Sequence, residues 1–224
     1  MRKRVMLSFL FVIFSMPLLS LTAQEGHFWV DRFSPESVKN NIPDGWSLNQ
    51  KEGNPEIKLE KSGKGYALHL RSDSSSFGIK KELEVDIKEY PYLNWRWKVS
   101  RLPEKGDFQK KDTDDQAGQI YVLFPRFPAT LNTEMVGYIW ESNPSNKGKE
   151  GESPAWDKSK VVVLQAGSER LNHWCQEKRN VYEDYKRLFG KEPPKAGGLA
   201  LYINSQHTKG KAYAAYGPIF FSKN

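Results

Sequence analysis

The chain has 224 residues, a formal charge of +7, one cysteine and 13% aromatic residues. Three of its 34 basic residues, Arg2, Lys3 and Arg4, lie in an opening segment that holds no acid, so without that segment the balance against 27 acids falls to +4. So small a charge argues against a nucleic-acid partner, and the composition excludes collagen, a long coiled coil and a multi-span membrane protein.

The opening segment has the three parts of a secretory signal. MRKR is basic, Leu7 to Leu21 is almost wholly apolar, and Leu21-Thr22-Ala23 ends in a small residue. The apolar run is short for a membrane span, which takes about 20 residues. It is broken by Pro17 and followed by polar, charged sequence after Gln24. Residues 1–23 are therefore expected to be a cleaved signal peptide. Residues 24–224 are expected to be a single domain, periplasmic or secreted, with no stable membrane span after cleavage. Cys175 is the only thiol and has no partner for an internal disulfide.

In chain order, Ser34-Pro35-Glu36 reads as a helical turn and Ile42-Pro43-Asp44-Gly45 as a turn. Ile57 and Leu59 alternate with charged residues, the turn Gly63-Lys64-Gly65 follows, and Tyr66 to Leu70 alternates again, which predicts a hairpin. In Tyr92 to Val99, Leu93, Trp95, Trp97 and Val99 share one strand face, while Asn94, Arg96 and Lys98 share the other. Trp95 and Trp97 on one face imply a thick core. Residues 101–116 form a polar loop with an acidic cluster, Asp112, Asp114 and Asp115. Ala117 to Phe124 is the next strand, with Ile120, Val122 and Phe124 inward and Gln119 and Tyr121 facing the other way. Met135 to Trp140 is another strand. Residues 142–159 read as a surface loop, and Val161 to Leu164 as a central strand buried on both sides. One helix stands out. Asn180 and Glu183 form a capping-box-like pair, Val181, Tyr185, Leu188 and Phe189 make one apolar face, and Gly190 stops it. Two strands close the chain, Leu199 to Ile203 and Ala212 to Phe221. About nine strands and a single amphipathic helix predict an all-β fold, an antiparallel β-sandwich of jelly-roll type.

Several stretches together resemble a known family: Leu93 to Val99, Asp114-Asp115-Gln116 with the strand to Phe124, Tyr138-Ile139-Trp140, Trp174 through Arg179-Asn180 to Asp184-Tyr185, Phe189-Gly190, and Ala215-Tyr216-Gly217. The chain resembles the exported bacterial family called domain of unknown function 3047. The resemblance implies export and a sandwich similar to galactose-binding-like domains, and it carries no established activity. The chain departs from the family pattern where Asn204-Ser205-Gln206-His207 and Tyr216-Gly217-Pro218 replace segments with acidic residues. Asp114 and Asp115 remain the main acidic candidates.

The constellation most suggestive of recognition is Tyr121, Tyr138 and Trp140 with Arg96 and Gln119. On a concave, wet face the rings would stack on sugars, while Arg96 and Gln119 would hydrogen-bond hydroxyls. The competing reading puts Tyr138 and Trp140 in the core. Asp114 and Asp115 are candidates for ligand contact, or for bracing the loop, with Arg96 as a partner for Asp115. Calcium would suit carboxylates, but the spacing is not that of an EF-hand, and no cofactor or metal is implied. Arg179 is expected to pair with Asp184 or Glu177. His173, Cys175 and His207 make no recognisable nucleophilic or metal motif. The sequence thus favours an exported, non-catalytic binding module for a carbohydrate or cell-envelope component. The alternatives are a glycan-active enzyme using Asp114 or Asp115, and a structural envelope protein that binds another protein.

Overall fold

The computed structural model describes residues 26–154 and 156–224, so the expected signal peptide, residues 1–23, lies outside the described residues. The elements are β1 (His27–Asp31), β2 (Val38–Lys39), β3 (Ile42–Pro43), β4 (Trp46–Glu52), β5 (Glu56–Ser62), β6 (Gly65–Asp73), β7 (Ser76–Val85), β8 (Tyr92–Arg101), β9 (Gly118–Phe124), α1 (Ala129–Asn132), β10 (Glu134–Glu141), β11 (Glu150–Ser153), β12 (Trp156–Ala166), β13 (Cys175–Asn180), α2 (Val181–Phe189), β14 (Ala196–Asn204) and β15 (Lys211–Ser222).

Two sheets face each other as a β-sandwich. One runs β13-β8-β15-β6-β5, with β1 pairing the distal half of β15; the other runs β11-β12-β10-β9-β14-β7-β4. The short pair β2 and β3 stands apart. The expected hairpin is β5 and β6, closed at Ser62 and Gly65. Among the described residues pairing is antiparallel with one exception, β10 and β12, which run parallel. Residues 142–159 are more ordered than a bare loop: they supply β11 and the start of β12. That short strand, together with β4 and β13, escaped the sequence pattern because each is largely exposed on one or both faces and lacks an apolar stripe.

The core between the sheets is aromatic. Trp95 and Trp97 of β8 meet Tyr138 and Trp140 of β10, at ring separations of 5.4 Å (Trp95–Tyr138) and 5.8 Å (Trp97–Trp140). All four rings are essentially fully buried. Removing rings of this size from water supplies much of the driving force for closing the sandwich. Helix α2 closes one end. The Asn180 side chain accepts from the Glu183 N–H at 3.0 Å, and Gly190 ends the helix in the left-handed region at φ 68°. Val181 and Tyr185 enter the core, and the Tyr185 ring lies 4.7 Å from Phe124. Asp184 anchors the helix: it accepts from Tyr138 Oη (2.8 Å), Arg179 Nη2 (2.7 Å) and Arg187 Nη2 (2.7 Å). The expected Arg179–Asp184 pair is therefore present. Among the described residues, no helix is long and apolar enough to cross a membrane.

Candidate functional site

Alternation along each strand of the seven-stranded sheet gives it an inner and an outer face. In β9, Ile120, Val122 and Phe124 enter the core, leaving Gln119 and Tyr121 on the outer face. In β14, Leu199, Leu201 and Ile203 enter, leaving Tyr202 and Asn204 outside. Cross-strand partners share a face, and β10 pairs with β9 so that Tyr138 lies opposite Ile120 and Trp140 opposite Gly118. Tyr138 and Trp140 thus point inward.

A cleft of about 410 Å³ lies on the outer face. Every strand of the sheet contributes to its lining, from Lys51 of β4 to Ser153 of β11. Seven strands at about 4.8 Å spacing span roughly 29 Å, so the cleft runs across the strands. Its floor carries two tyrosines. Tyr121 and Tyr202 stand 6.0 Å apart, with ring planes at 87°. Each crosses a glycine on the next strand: a Cβ on Gly137 would lie 2.4 Å from Tyr121 Cε1, and one on Gly78 would lie 2.7 Å from Tyr202 Cγ. The bare glycine surface lets both rings lean down against the backbone while an edge stays open to solvent. Trp156 and Met135 extend the apolar surface, and Ser76, Ser159 and Gln206 add polar groups. Gln206 is 4% exposed and its Oε1 has no partner among the described residues, an acceptor that a donor reaching the floor would complete.

One end of the cleft is a hydrogen-bonded junction of two loops, 102–117 and 205–210. Asn204 sits at its centre. Its Oδ1 accepts from the Gln116 N–H (2.9 Å) and from Gln119 Nε2 (2.7 Å), and its Nδ2 donates to the Asp114 carbonyl. Gln119 Oε1 in turn accepts from Tyr121 Oη at 2.9 Å. Asp115 is fully buried and braces the junction: Oδ2 accepts from the Thr208 N–H (2.7 Å) and Oγ1 (2.8 Å), and Oδ1 accepts from the His207 N–H (3.3 Å). The His207 ring also approaches Asp115, with Nδ1 3.2 Å from Oδ1. Asp114, by contrast, lines the cleft. Burial pushes its carboxyl above the usual range, against the hydrogen bond from Gln116 Nε2 (2.8 Å) and the nearby His207. Burial likewise raises the Tyr121 phenol, helped by the Asp114 charge.

The other part of the outer face is filled. Phe108, from the loop between β8 and β9, clusters with Ile139, Val161 and Val163, and Tyr121 packs against this cluster. This explains why Val161 to Val163 are buried on both sides, with Leu164 half-buried, although β12 lies next to the sheet edge. Phe108 is held by its N–H, which donates to Glu141 Oε2 at 3.0 Å.

The expected site residues therefore divide. Gln119, Tyr121 and Asp114 line the cleft. Asp115 lies beneath it as a brace, and its partners are Thr208, His207 and Asn204 rather than Arg96. Tyr138 and Trp140 are core residues, a correction forced by strand register; Tyr138 donates to Asp184 and Trp140 Nε1 to the Gly167 carbonyl (3.3 Å). Arg96 is on the opposite sheet, where its guanidinium lies 4.7 Å from the Trp174 ring and across Gly217. Reading the sequence missed Tyr202, Trp156, Lys51, Lys111 and His207 as site residues. Tyr202 was open to discovery, because Leu201 and Ile203 flank it in a strand already recognised. Cys175 is buried, and among the described residues no group of three or more His, Cys, Asp or Glu side chains is placed to hold a metal ion.

Comparison with known proteins adds family and fold. The model of the family described as "Protein of unknown function (DUF3047)" matches residues 44–220. The chain belongs to that family. No curated protein matches the sequence. Among solved structures, the family 11 carbohydrate-binding module of a cellulosomal cellulase of Clostridium thermocellum superposes with a TM-score of 0.50 at 10% identity, covering 88% of this chain and 94% of the module. The same module in complex with a β-1,3-1,4-mixed-linked tetrasaccharide gives 0.47 at 9% identity, covering 88% and 95%. A family 30 module of another cellulosomal cellulase of that organism gives 0.46 at 12% identity, covering 80% and 92%. The first of these likenesses shows that the DUF3047 chain has the β-sandwich fold of such modules.

Proposed function

We propose that this DUF3047 protein is an exported carbohydrate-binding protein that holds a glycan in the cleft across its seven-stranded sheet. The observation that carries the reading is the pair Tyr121 and Tyr202, two rings set over Gly137 and Gly78 in an open groove. A sugar ring has apolar C–H faces and hydroxyl edges. Tyrosine rings suit the faces, while Gln119, Asn204, Gln206 and Ser76 suit the edges. The signal-like residues 1–23 support export into a compartment where polysaccharide is met.

Binding is favoured over glycoside hydrolysis by the carboxylates. Hydrolysis in its usual form needs two of them on opposite sides of the scissile bond. Asp114 is the one carboxylate lining the cleft among the described residues, and Asp115 is fully buried beneath it.

The test is a glycan array with the purified protein, followed by titration calorimetry on the best ligand. The wild type is expected to bind at least one oligosaccharide, and Tyr121→Ala and Tyr202→Ala are each expected to weaken it tenfold or more. Tyr138→Phe, altered in the core, should bind as the wild type does. A folded wild type that binds no glycan, or a Tyr121→Ala/Tyr202→Ala double variant with undiminished affinity, would remove the proposal.

A further inference from the structure

The charged residues of the cleft are not balanced. Lys51, on β4, and Lys111, from the loop that leads to β9, both line it and are exposed. Neither has a carboxylate within 4.0 Å of its ammonium among the described residues, whereas Lys110 is paired with Asp107 and Lys209 with Glu52. His207 lines the same cleft. Among the described residues that line the cleft one carboxylate faces them, Asp114, which is half-buried, accepts from Gln116 Nε2 and feels the Lys51 charge. The lining thus sets two exposed ammonium groups against one carboxylate at the rim of an aromatic floor, with Asp115 buried beneath in its hydrogen bonds to Thr208 and His207, and an anion reaching both lysines would meet a local excess of positive charge.

We infer that the cleft selects an anionic glycan, one bearing carboxylate or sulfate groups, with Lys51 and Lys111 as the residues that distinguish it from a neutral polysaccharide. This inference rests on the glycan reading above and refines it. Tyr121 and Tyr202 would hold the sugar faces whatever the charge, and the lysines would meet the anionic substituents along the groove. Each ammonium offers three donors as a mobile point charge, which suits substituents that recur at intervals along a chain. Lys51 and Lys111 are both exposed, so exchanging them leaves the core untouched.

The experiment measures affinity for size-matched oligosaccharides in two charged and neutral pairs: oligogalacturonides with free carboxylates against the same oligogalacturonides fully methyl-esterified, and sulfated against unsulfated galactan oligosaccharides. The expected result is at least tenfold tighter binding of an anionic form than of its neutral counterpart; whether the free carboxylates or the sulfates give it identifies the group. That preference should collapse in Lys51→Gln/Lys111→Gln, with affinity for the anionic form falling toward that for its neutral counterpart. It should also shrink when salt is raised from about 0.1 M to about 1 M, as the screening length falls from about 10 Å to about 3 Å. Equal binding of charged and neutral forms would overturn the inference and leave the glycan reading standing, as would a preference that survives in the double variant. Absence of binding to every form and to every neutral glycan of the array would overturn both.

Discussion

The ring of Tyr121 lies across Gly137, its cross-strand partner, so closely that a Cβ at residue 137 would sit 2.4 Å from Tyr121 Cε1. The glycine is the condition for the ring's position, because an ordinary Cβ contact is well over 3 Å. Gly137→Ala is expected to lift the ring, lower stability by about 1–3 kcal/mol through overpacking, and weaken glycan binding. Gly78→Ala should act in the same way on Tyr202, and with less room to relax, because its Cβ would also lie 2.5 Å from the Leu201 carbonyl oxygen. Urea melts and calorimetry on both variants check this. Unchanged affinity in both would separate the tyrosine platform from binding.

The inward rings should separate stability from function. Trp140→Ala removes a fully buried indole that packs on Trp97 and is expected to destabilise by about 3–5 kcal/mol. Tyr138→Phe keeps the ring but takes one donor from the buried carboxylate of Asp184, a loss of about 1–3 kcal/mol. Chemical denaturation reads both values.

Asp115 is expected to matter as a brace. Asp115→Asn turns one acceptor oxygen into a donor facing N–H groups of His207 and Thr208. The expected outcome is a destabilisation of about 1–3 kcal/mol and faster proteolysis within residues 102–117 and 205–210. Asp114→Asn, whose side chain lines the cleft, should leave that proteolysis unchanged.

Glu141 gives the stability a pH dependence of definite sign. It is fully buried, and burial pushes its carboxyl up to about 7 from 4.5, against the three backbone N–H groups of Phe108, Ser142 and Asn143 that it accepts. Between those values the folded state holds a proton that the unfolded chain has released. This group's contribution is therefore complete below about pH 4.5 and is lost as pH rises through about 7, with a slope of up to about 1.4 kcal/mol per pH unit. Unfolding free energies measured from pH 5 to 8 should show the decline in the wild type and a flatter profile in Glu141→Gln, whatever the absolute stability of the variant.

Local pattern was enough for much of this molecule. Period-two alternation in Tyr92 to Val99 and Ala117 to Phe124 marked true strands and assigned their faces correctly, because in each strand one face is wholly apolar and the other carries polar groups. Asn180, Glu183 and Gly190 bounded α2 because capping is chemistry between near neighbours. The sandwich class followed from the number of such strands and the scarcity of helical periods.

What the pattern left open, the pairing of distant strands settled. Residues 135–140 are Met-Val-Gly-Tyr-Ile-Trp, apolar at almost every position, so alternation has no contrast to read. Only the register against β9 turns Tyr138 and Trp140 inward. The same is true of the cleft: Lys51, Lys111, Tyr121, Trp156 and Tyr202 come from five separate stretches of chain and meet only when seven strands lie side by side. Arg96 went to the other side of the molecule for the same reason, since β8 joins the opposite sheet. A strand's own residues decide which of its faces is apolar; the sheet it joins, and the neighbours it gains there, depend on contacts across the whole chain that no local window contains.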